Sequence, residues 1–311
     1  MTRPTLLQAG DLPDWALDEL RALFRVVALP ADPADIAPFL AEHGPAIRGM
    51  ALRKTRVDTA LLQALPALEI ISSYSAGLDN VDVDAVKARG IRLENTSQVL
   101  AADVADTAIG LTLALTRDLV NADRFVREGQ WPRQPQYPLG RSLGRLRVGI
   151  VGLGSIGLAI ARRLAAFDAR VAWYGPRPKP VDLPWHADIL SLARASDLLI
   201  LTCPLSDATH HLVDAAVLDA LGPRGLLVNI ARGPVVDEQA LITALAEGRI
   251  AGAALDVFEH EPEVPAALRQ DRRLVLTPHI GSATEETRRG MAEHVVDTLA
   301  AHFGLAGPRA A

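Results

Sequence analysis

The sequence predicts an α/β fold whose clearest part is a doubly wound parallel sheet. Two observations carry this. Short β-rich apolar runs recur, each followed by a helical pattern, and one of these runs leads directly into a glycine-rich turn. Runs at residues 26–29, 47–52, 68–74 and 91–93 read as strands of a first unit. A second series, at 147–151, 170–174, 197–202, 225–230, 250–255 and 273–277, alternates with helix-length segments such as 155–166 and 237–247. Between the two series lies a helical pattern from about 101 to 116, then a polar, proline-bearing stretch at 128–145 that reads as an arm. Past Gly281, the four-residue spacing of Met291, Val295, Leu299 and Phe303 makes one apolar helical stripe, which must dock on something.

Composition sets the bounds. A chain of 311 residues, 49% of them apolar, can bury two moderate cores, so two domains are expected. The net charge of -5 is scattered, which argues against a nucleic-acid partner. The single cysteine, Cys203, leaves no internal disulfide and no cysteine-based zinc cluster, as suits a reducing, cytoplasmic compartment. The start lacks a signal-peptide pattern, and no apolar stretch is read as reaching a membrane span.

An apolar strand directly precedes Gly152, Gly154 and Gly157, and a helical pattern (Ile156, Ile160, Ala161, Leu164) directly follows. This is the dinucleotide fingerprint in its required context, a Rossmann-type arrangement. The first glycine permits the tight turn, the second lets the backbone approach the pyrophosphate, and the third lets helix pack on strand. The next strand ends at Trp173-Tyr174, where an NAD enzyme usually carries an acid for the ribose hydroxyls. Here the sequence continues Gly175-Pro176-Arg177-Pro178-Lys179, with no acid before Asp182. Two cations suit a 2′-phosphate, so NADPH is expected over NADH, with NADH as the alternative.

Three later strands end in polar motifs containing Arg232, Glu261 and His279. In an open α/β sheet the ligand lies beyond the carboxyl ends of the strands, so these side chains are expected to converge near the glycine loop. A guanidinium offers paired donors to a carboxylate and can polarise the adjacent carbonyl, which makes Arg232 the group that holds an oxo acid. His279 is the candidate acid for the developing alkoxide, and a base in the reverse direction. Glu261 beside the imidazole favours its charged form. Each residue alone has an ordinary structural reading; together, after the fingerprint, they point to carbonyl reduction. Asp256, at a strand end, could accept from the nicotinamide amide, although a turn is the usual place for aspartate.

These motifs taken together resemble, nearly end to end, the D-isomer-specific 2-hydroxyacid dehydrogenases. The resemblance rests on the glycine loop, Cys203-Pro-Leu, Asn229-Ile-Ala-Arg-Gly, Asp256-Val-Phe-Glu-x-Glu-Pro262 and Pro278-His-Ile-Gly281. It implies the catalytic roles of Arg232, Glu261 and His279 and a carboxamide-binding Asp256. It further implies cofactor contacts at Gly152, Leu153, Gly154, Ser155, Ile156, Gly157, Gly175, Arg177, Lys179, Cys203, Pro204, Ile230, Ala231, Arg232, Asp256, His279 and Gly281. Ser73-Tyr-Ser-Ala-Gly-Leu-Asp79 matches the family's substrate-carboxylate loop, so backbone amides of Ser75, Ala76 and Gly77 would bind the anion, with Arg232 and His279 completing the substrate contacts. A flavodoxin-like substrate domain is implied, built from residues 1–97 completed by 282–311, around a dinucleotide-binding domain at 98–281.

Residues 73–77 and 99–106 look most like the NADPH-using glyoxylate, hydroxypyruvate and hydroxyphenylpyruvate reductases. Reduction of glyoxylate or hydroxypyruvate to the D-2-hydroxy acid is the expected reaction, with hydroxyphenylpyruvate reduction or a phosphoglycerate-type dehydrogenation as variants. Two departures stand out: Ser155 replaces an arginine common in the glycine loop, and Gly-Pro-Arg replaces Ser-Arg or Asn-Arg at the phosphate-binding strand end. The resemblance also implies a homodimer, with Trp131 and Tyr137 in the arm that forms it. The non-enzyme rival is a dinucleotide-sensing, corepressor-like protein, which would need an added recognition surface or extension; the chain is read as ending soon after its docking helix. His210 and His211 show no metal-ligand spacing with nearby carboxylates or sulfur, and no metal is expected.

Overall fold

The computed structural model describes residues 3–309. The chain divides into two units, one holding the chain up to Leu100 together with the segment from Thr284 onward, the other running from Ala101 to Ala283.

The first unit is built on five parallel strands, β1 (Thr5–Ala9), β2 (Arg25–Ala28), β3 (Ile47–Leu52), β4 (Ile70–Ser73) and β5 (Arg92–Glu94), in the order β2-β1-β3-β4-β5. That is the flavodoxin-like order. Helices α1 (Asp14–Leu23), α2 (Pro33–His43), α3 (Thr59–Ala64) and α4 (Val83–Ala88) make the connections. β1 has no counterpart among the expected strands: its five residues bury only Leu6, Leu7 and Ala9, too short a run for periodicity to show. Asp58 and Asp82 start α3 and α4 by accepting the amides of Leu61 and Ala85 at 3.0 and 2.9 Å. Caps of this kind contribute about 1 kcal/mol each.

Helix α5 (Ser97–Arg117) is longer than the expected 101–116, and the division between units falls inside it, after Leu100, rather than at 97/98. α5 also corrects the expectation that no segment reaches membrane-span length, since this 21-residue helix holds an 18-residue window with a mean hydropathy of 1.5, long and apolar enough to cross a bilayer. Half of that window is buried inside the protein, as in a core helix.

The second unit continues with α6 (Leu119–Arg127), β6 (Arg147–Val151), α7 (Ser155–Ala165), β7 (Arg170–Tyr174), β8 (Trp185–His186), α8 (Ile189–Ala195), β9 (Leu198–Leu201), α9 (Ala215–Leu221), β10 (Leu226–Asn229), α10 (Glu238–Ala246), β11 (Gly252–Leu255), α11 (Ala266–Gln270) and β12 (Leu274–Leu276). The seven strands pair in parallel in the order β12-β11-β10-β9-β6-β7-β8. Strand order reverses between β6 and β9, the switch point of a dinucleotide-binding sheet. β9, β10 and β11 are buried throughout, as expected of strands covered on both faces. The two-residue β8 gave no apolar run to read.

The last helix, α12 (Glu285–His302), belongs to the first unit. Met291, Val295 and Leu299 are fully buried, and Phe303 packs edge-on against Phe24 at 5.7 Å, so the apolar stripe is docked. The Tyr74 hydroxyl donates to the Arg288 carbonyl at 3.0 Å, tying β4's end to that helix.

Candidate active site

The glycine loop leaves β6 at its carboxyl end. Gly152 has φ +95°, and a Cβ there would stand 2.8 Å from the Cys203 backbone. At Gly157 a Cβ would stand 2.3 Å from the Gly152 carbonyl oxygen, so α7 packs against the turn as closely as only glycine allows. Gly154 differs, for a Cβ there would meet nothing within 4 Å. Nothing in the protein requires a glycine at 154; the close approach of a ligand does. The loop and the start of α7 therefore fit a pyrophosphate. Lys179 reaches back to this loop, its Nζ donating to the Leu153 carbonyl at 2.7 Å, whereas Arg177 lies exposed in the loop after Gly175. Cys203 follows β9 and is buried, and that burial pushes its thiol up to about 11, so it serves as packing for Gly152 rather than as a nucleophile.

Arg232 follows β10 in a loop organised by buried Asn229. The Asn229 Oδ1 accepts the Ala231 amide at 3.0 Å and its Nδ2 donates to the Arg232 carbonyl at 3.0 Å. The adjacent Gly233 lies so close to the Phe258–Glu259 peptide that a Cβ would sit 1.9 Å from the Phe258 carbonyl. The Arg232 loop is thereby locked to the loop that carries Glu261.

Glu261 bridges two partners: Oε1 accepts the Phe258 amide at 3.1 Å, and Oε2 lies 2.8 Å from His279 Nδ1. An ionised carboxylate only accepts, so Nδ1 carries the proton and the imidazole presents Nε2 as its working atom. The side chain of His279 is 46% exposed, open to a reactant. Its backbone has φ +55°, a left-handed conformation that costs a non-glycine residue on the order of 1 kcal/mol and concentrates at functional sites.

Asp256 supplies what holds that conformation. Its carboxylate, 1% exposed, accepts from Thr277 Oγ1 at 2.6 Å, from the Ile280 amide at 2.8 Å and from the Gly281 amide at 2.8 Å, while its carbonyl accepts the His279 amide at 2.8 Å. This carboxylate therefore positions the His279 loop. Glu261 and His279 also line a cavity of about 300 Å³ with Phe258, Pro262, Val264 and Leu276.

In the first unit, the loop after β4 is held from behind. Asn95 Nδ2 donates to the Ala76 carbonyl at 3.0 Å, the Thr96 amide to the Ser75 carbonyl at 3.1 Å, and Ser75 Oγ to the Gly77 carbonyl at 2.6 Å. The amides of Ser75, Ala76 and Gly77 make no hydrogen bond among the described residues, which suits them to an anion.

The model of the D-isomer-specific 2-hydroxyacid dehydrogenase NAD-binding domain matches residues 109–281. The chain belongs to that family. This 2-hydroxyacid dehydrogenase is 51% identical over 247 residues to glyoxylate/hydroxypyruvate reductase A of Arabidopsis thaliana, covering 79% of each chain. It is 46% identical to the hydroxyphenylpyruvate reductase of Plectranthus scutellarioides, covering 92% of this chain and 91% of that one. Among solved structures, the NADPH-dependent glyoxylate/hydroxypyruvate reductase of Sinorhizobium meliloti, in complex with NADP and malonate, superimposes with a TM-score of 0.87 at 43% identity, covering 97% of this chain and 94% of that one.

The two arm aromatics of this dehydrogenase differ in their surroundings. The Tyr137 hydroxyl donates to Asp118 Oδ2 at 2.6 Å and its ring packs on Phe125 at 5.1 Å; burial and the neighbouring carboxylate push its phenol up to about 12. Trp131 is 57% exposed and Leu139 fully so. The sequence reading missed one further cluster: Glu259 Oε1 lies 2.9 Å from His211 Nε2, with His210 alongside, a grouping hidden by a sequence separation of 48.

Proposed function

We propose that this protein reduces a small 2-oxo acid, glyoxylate or hydroxypyruvate, to the D-2-hydroxy acid with NADPH. The observation that carries the proposal is the 2.8 Å Glu261–His279 pair, held on a loop beside the Arg232 loop at the same sheet edge as the glycine turn. When bound, the dinucleotide supplies the hydride. Arg232 holds the substrate carboxylate through paired, charge-assisted N–H bonds and draws electron density from the neighbouring carbonyl. His279 donates its Nε2 proton to the oxygen that becomes the hydroxyl, and Glu261 stabilises the protonated ring and fixes its orientation. Asp256 keeps the His279 backbone in place.

NADPH preference is supported by the absence of an acid at the end of β7 and by Lys179 lying against the glycine loop. The Sinorhizobium meliloti relative, NADPH-dependent by name, agrees with it. A cytoplasmic homodimer is part of the same reading: the one cysteine is a buried free thiol, and the arm exposes Trp131 and Leu139, side chains suited to an interface. An aryl 2-oxo acid is the second reading, favoured by the apolar cavity beside His279.

Steady-state kcat/KM for a panel of 2-oxo acids with NADPH and with NADH tests all of this. The proposal expects glyoxylate or hydroxypyruvate to lead the panel, and NADPH to be preferred by about 10- to 150-fold, the worth of one charge-assisted bond. Hydroxyphenylpyruvate leading the panel would move the assignment to the aryl reading. Saturable dinucleotide binding without turnover of any acid would replace the enzyme by a sensor.

A further inference from the structure

Outside the reaction machinery, His210, His211 and Glu259 bring three ligand atoms within 4.8 Å of one another. The arrangement follows from the backbone. After Pro204 the chain makes one tight turn, with the His210 amide donating to the Ser206 carbonyl at 2.8 Å and Thr209 Oγ1 capping the Pro204 carbonyl at 2.6 Å. His211 then takes φ +50°, and the two rings lie over each other at a centroid distance of 4.0 Å and 30° between planes. In an extended chain consecutive side chains point to opposite sides; here the left-handed residue puts both imidazoles on one.

Glu259 comes from the loop after β11. Its amide is held by Glu238 Oε2 at 3.3 Å, and its Oε1 lies 2.9 Å from His211 Nε2.

We propose that His210, His211 and Glu259 form a site for one divalent transition-metal ion of the zinc class, with water completing the shell. Two imidazoles and one carboxylate are a donor set suited to zinc, cobalt or nickel rather than to calcium or magnesium. With metal–ligand bonds of about 2.0–2.2 Å, donors in a tetrahedral shell stand roughly 3.3–3.5 Å apart, so a separation at the 4.8 Å limit closes by about 1.5 Å and the 2.9 Å His211–Glu259 pair opens by about 0.5 Å. Binding replaces the His211–Glu259 hydrogen bond with two bonds to the metal. The imidazoles bind through lone pairs, so their protons leave Nε2 or shift to the other ring nitrogen, and affinity falls in acid.

The consequence reaches beyond the surface. The His211 amide donates to the Pro234 carbonyl at 2.8 Å, and Gly233 presses on the Phe258–Glu259 peptide. One ion would therefore clamp the segment after Cys203, the loop after Arg232 and the loop leading to Glu261.

The test uses the purified full chain stripped of metal. One equivalent of Co²⁺ should produce the visible absorption of a low-symmetry site, displaceable by Zn²⁺. Zn²⁺ at about 100-fold excess over Kd should raise Tm by about 5 °C. H210A removes an exposed ring and leaves the His211–Glu259 bond in place; it should melt with the metal-free parent and lose both responses, as should E259Q. H279A, which removes the histidine–carboxylate pair of the active site, should keep both. Absence of the cobalt spectrum in the parent, its persistence in H210A, or its loss in H279A would overturn the site.

Discussion

Glu261 meets His279 through Oε2 and Nδ1 at 2.8 Å while its other oxygen is anchored on the Phe258 amide at 3.1 Å. The carboxylate is thus fixed before it orients the ring, and the ring's free nitrogen is left to the reactant. E261Q keeps the shape and removes the charge. It should lower kcat by about 10- to 100-fold while leaving the dinucleotide Kd within about 2-fold, since the effect lies in the proton-transfer step. Stopped-flow reduction together with fluorescence titration of NADPH would show the split.

Arg232 is expected to act through two N–H groups in one plane, which lysine cannot offer. R232K should reduce kcat/KM for the oxo acid by about 10- to 150-fold, the loss of one charge-assisted hydrogen bond. Tm measured alongside separates lost binding from lost loop stability, since Arg232 Nη1 also donates to the Ala231 carbonyl at 2.7 Å.

The three loop glycines separate fold from binding. G152A and G157A place a Cβ 2.8 and 2.3 Å from backbone atoms, so both should lower Tm by several degrees. G154A has open space around it and should melt with the parent while binding NADPH at least about 10-fold more weakly. Equal loss of stability in all three variants would remove the distinction.

Asp197 gives a pH dependence. The Arg147 guanidinium and amide hold its carboxyl below the usual carboxylate range, through bonds of 2.9–3.1 Å, with Arg141 at 3.7 Å. A lowered folded-state value means stability that is present above the unfolded value, near 3.8, and lost as pH falls through the folded one. D197N should therefore cost about 1–2 kcal/mol at pH 7 after allowance for the half-exposed Arg147. In urea titrations this difference should persist down to about pH 5 and shrink below about pH 4, where the parent carboxylate is itself protonated.

The legible parts of the sequence were those where an apolar run abuts a chemically distinctive turn. β6, β7, β9, β10, β11 and β12 each end in such a turn, which is why the sequence alone assigns the glycine loop and the motifs with Arg232, Glu261 and His279 to one sheet edge. β1 and β8 were invisible because three buried positions in the one and none in the two-residue other make no period. The hydrogen bonds of Asp256 were not legible because its partners, Thr277, Ile280 and Gly281, lie more than twenty residues away and are side-chain and amide donors that pattern does not encode. The same holds for Tyr137, whose tie to Asp118 across 19 residues sets the arm. α5 shows the opposite failure: apolar residues were counted as runs, and a helix with interspersed polar positions reaches span length without one.

The most direct test of the account is NADPH oxidation with glyoxylate and hydroxypyruvate by the parent and by H279A, with the NADPH Kd of each measured alongside. The account predicts a fall in kcat of about 10²–10⁴-fold with an unchanged Kd, the signature of losing the proton donor alone. Turnover by H279A at the parent's rate would contradict it.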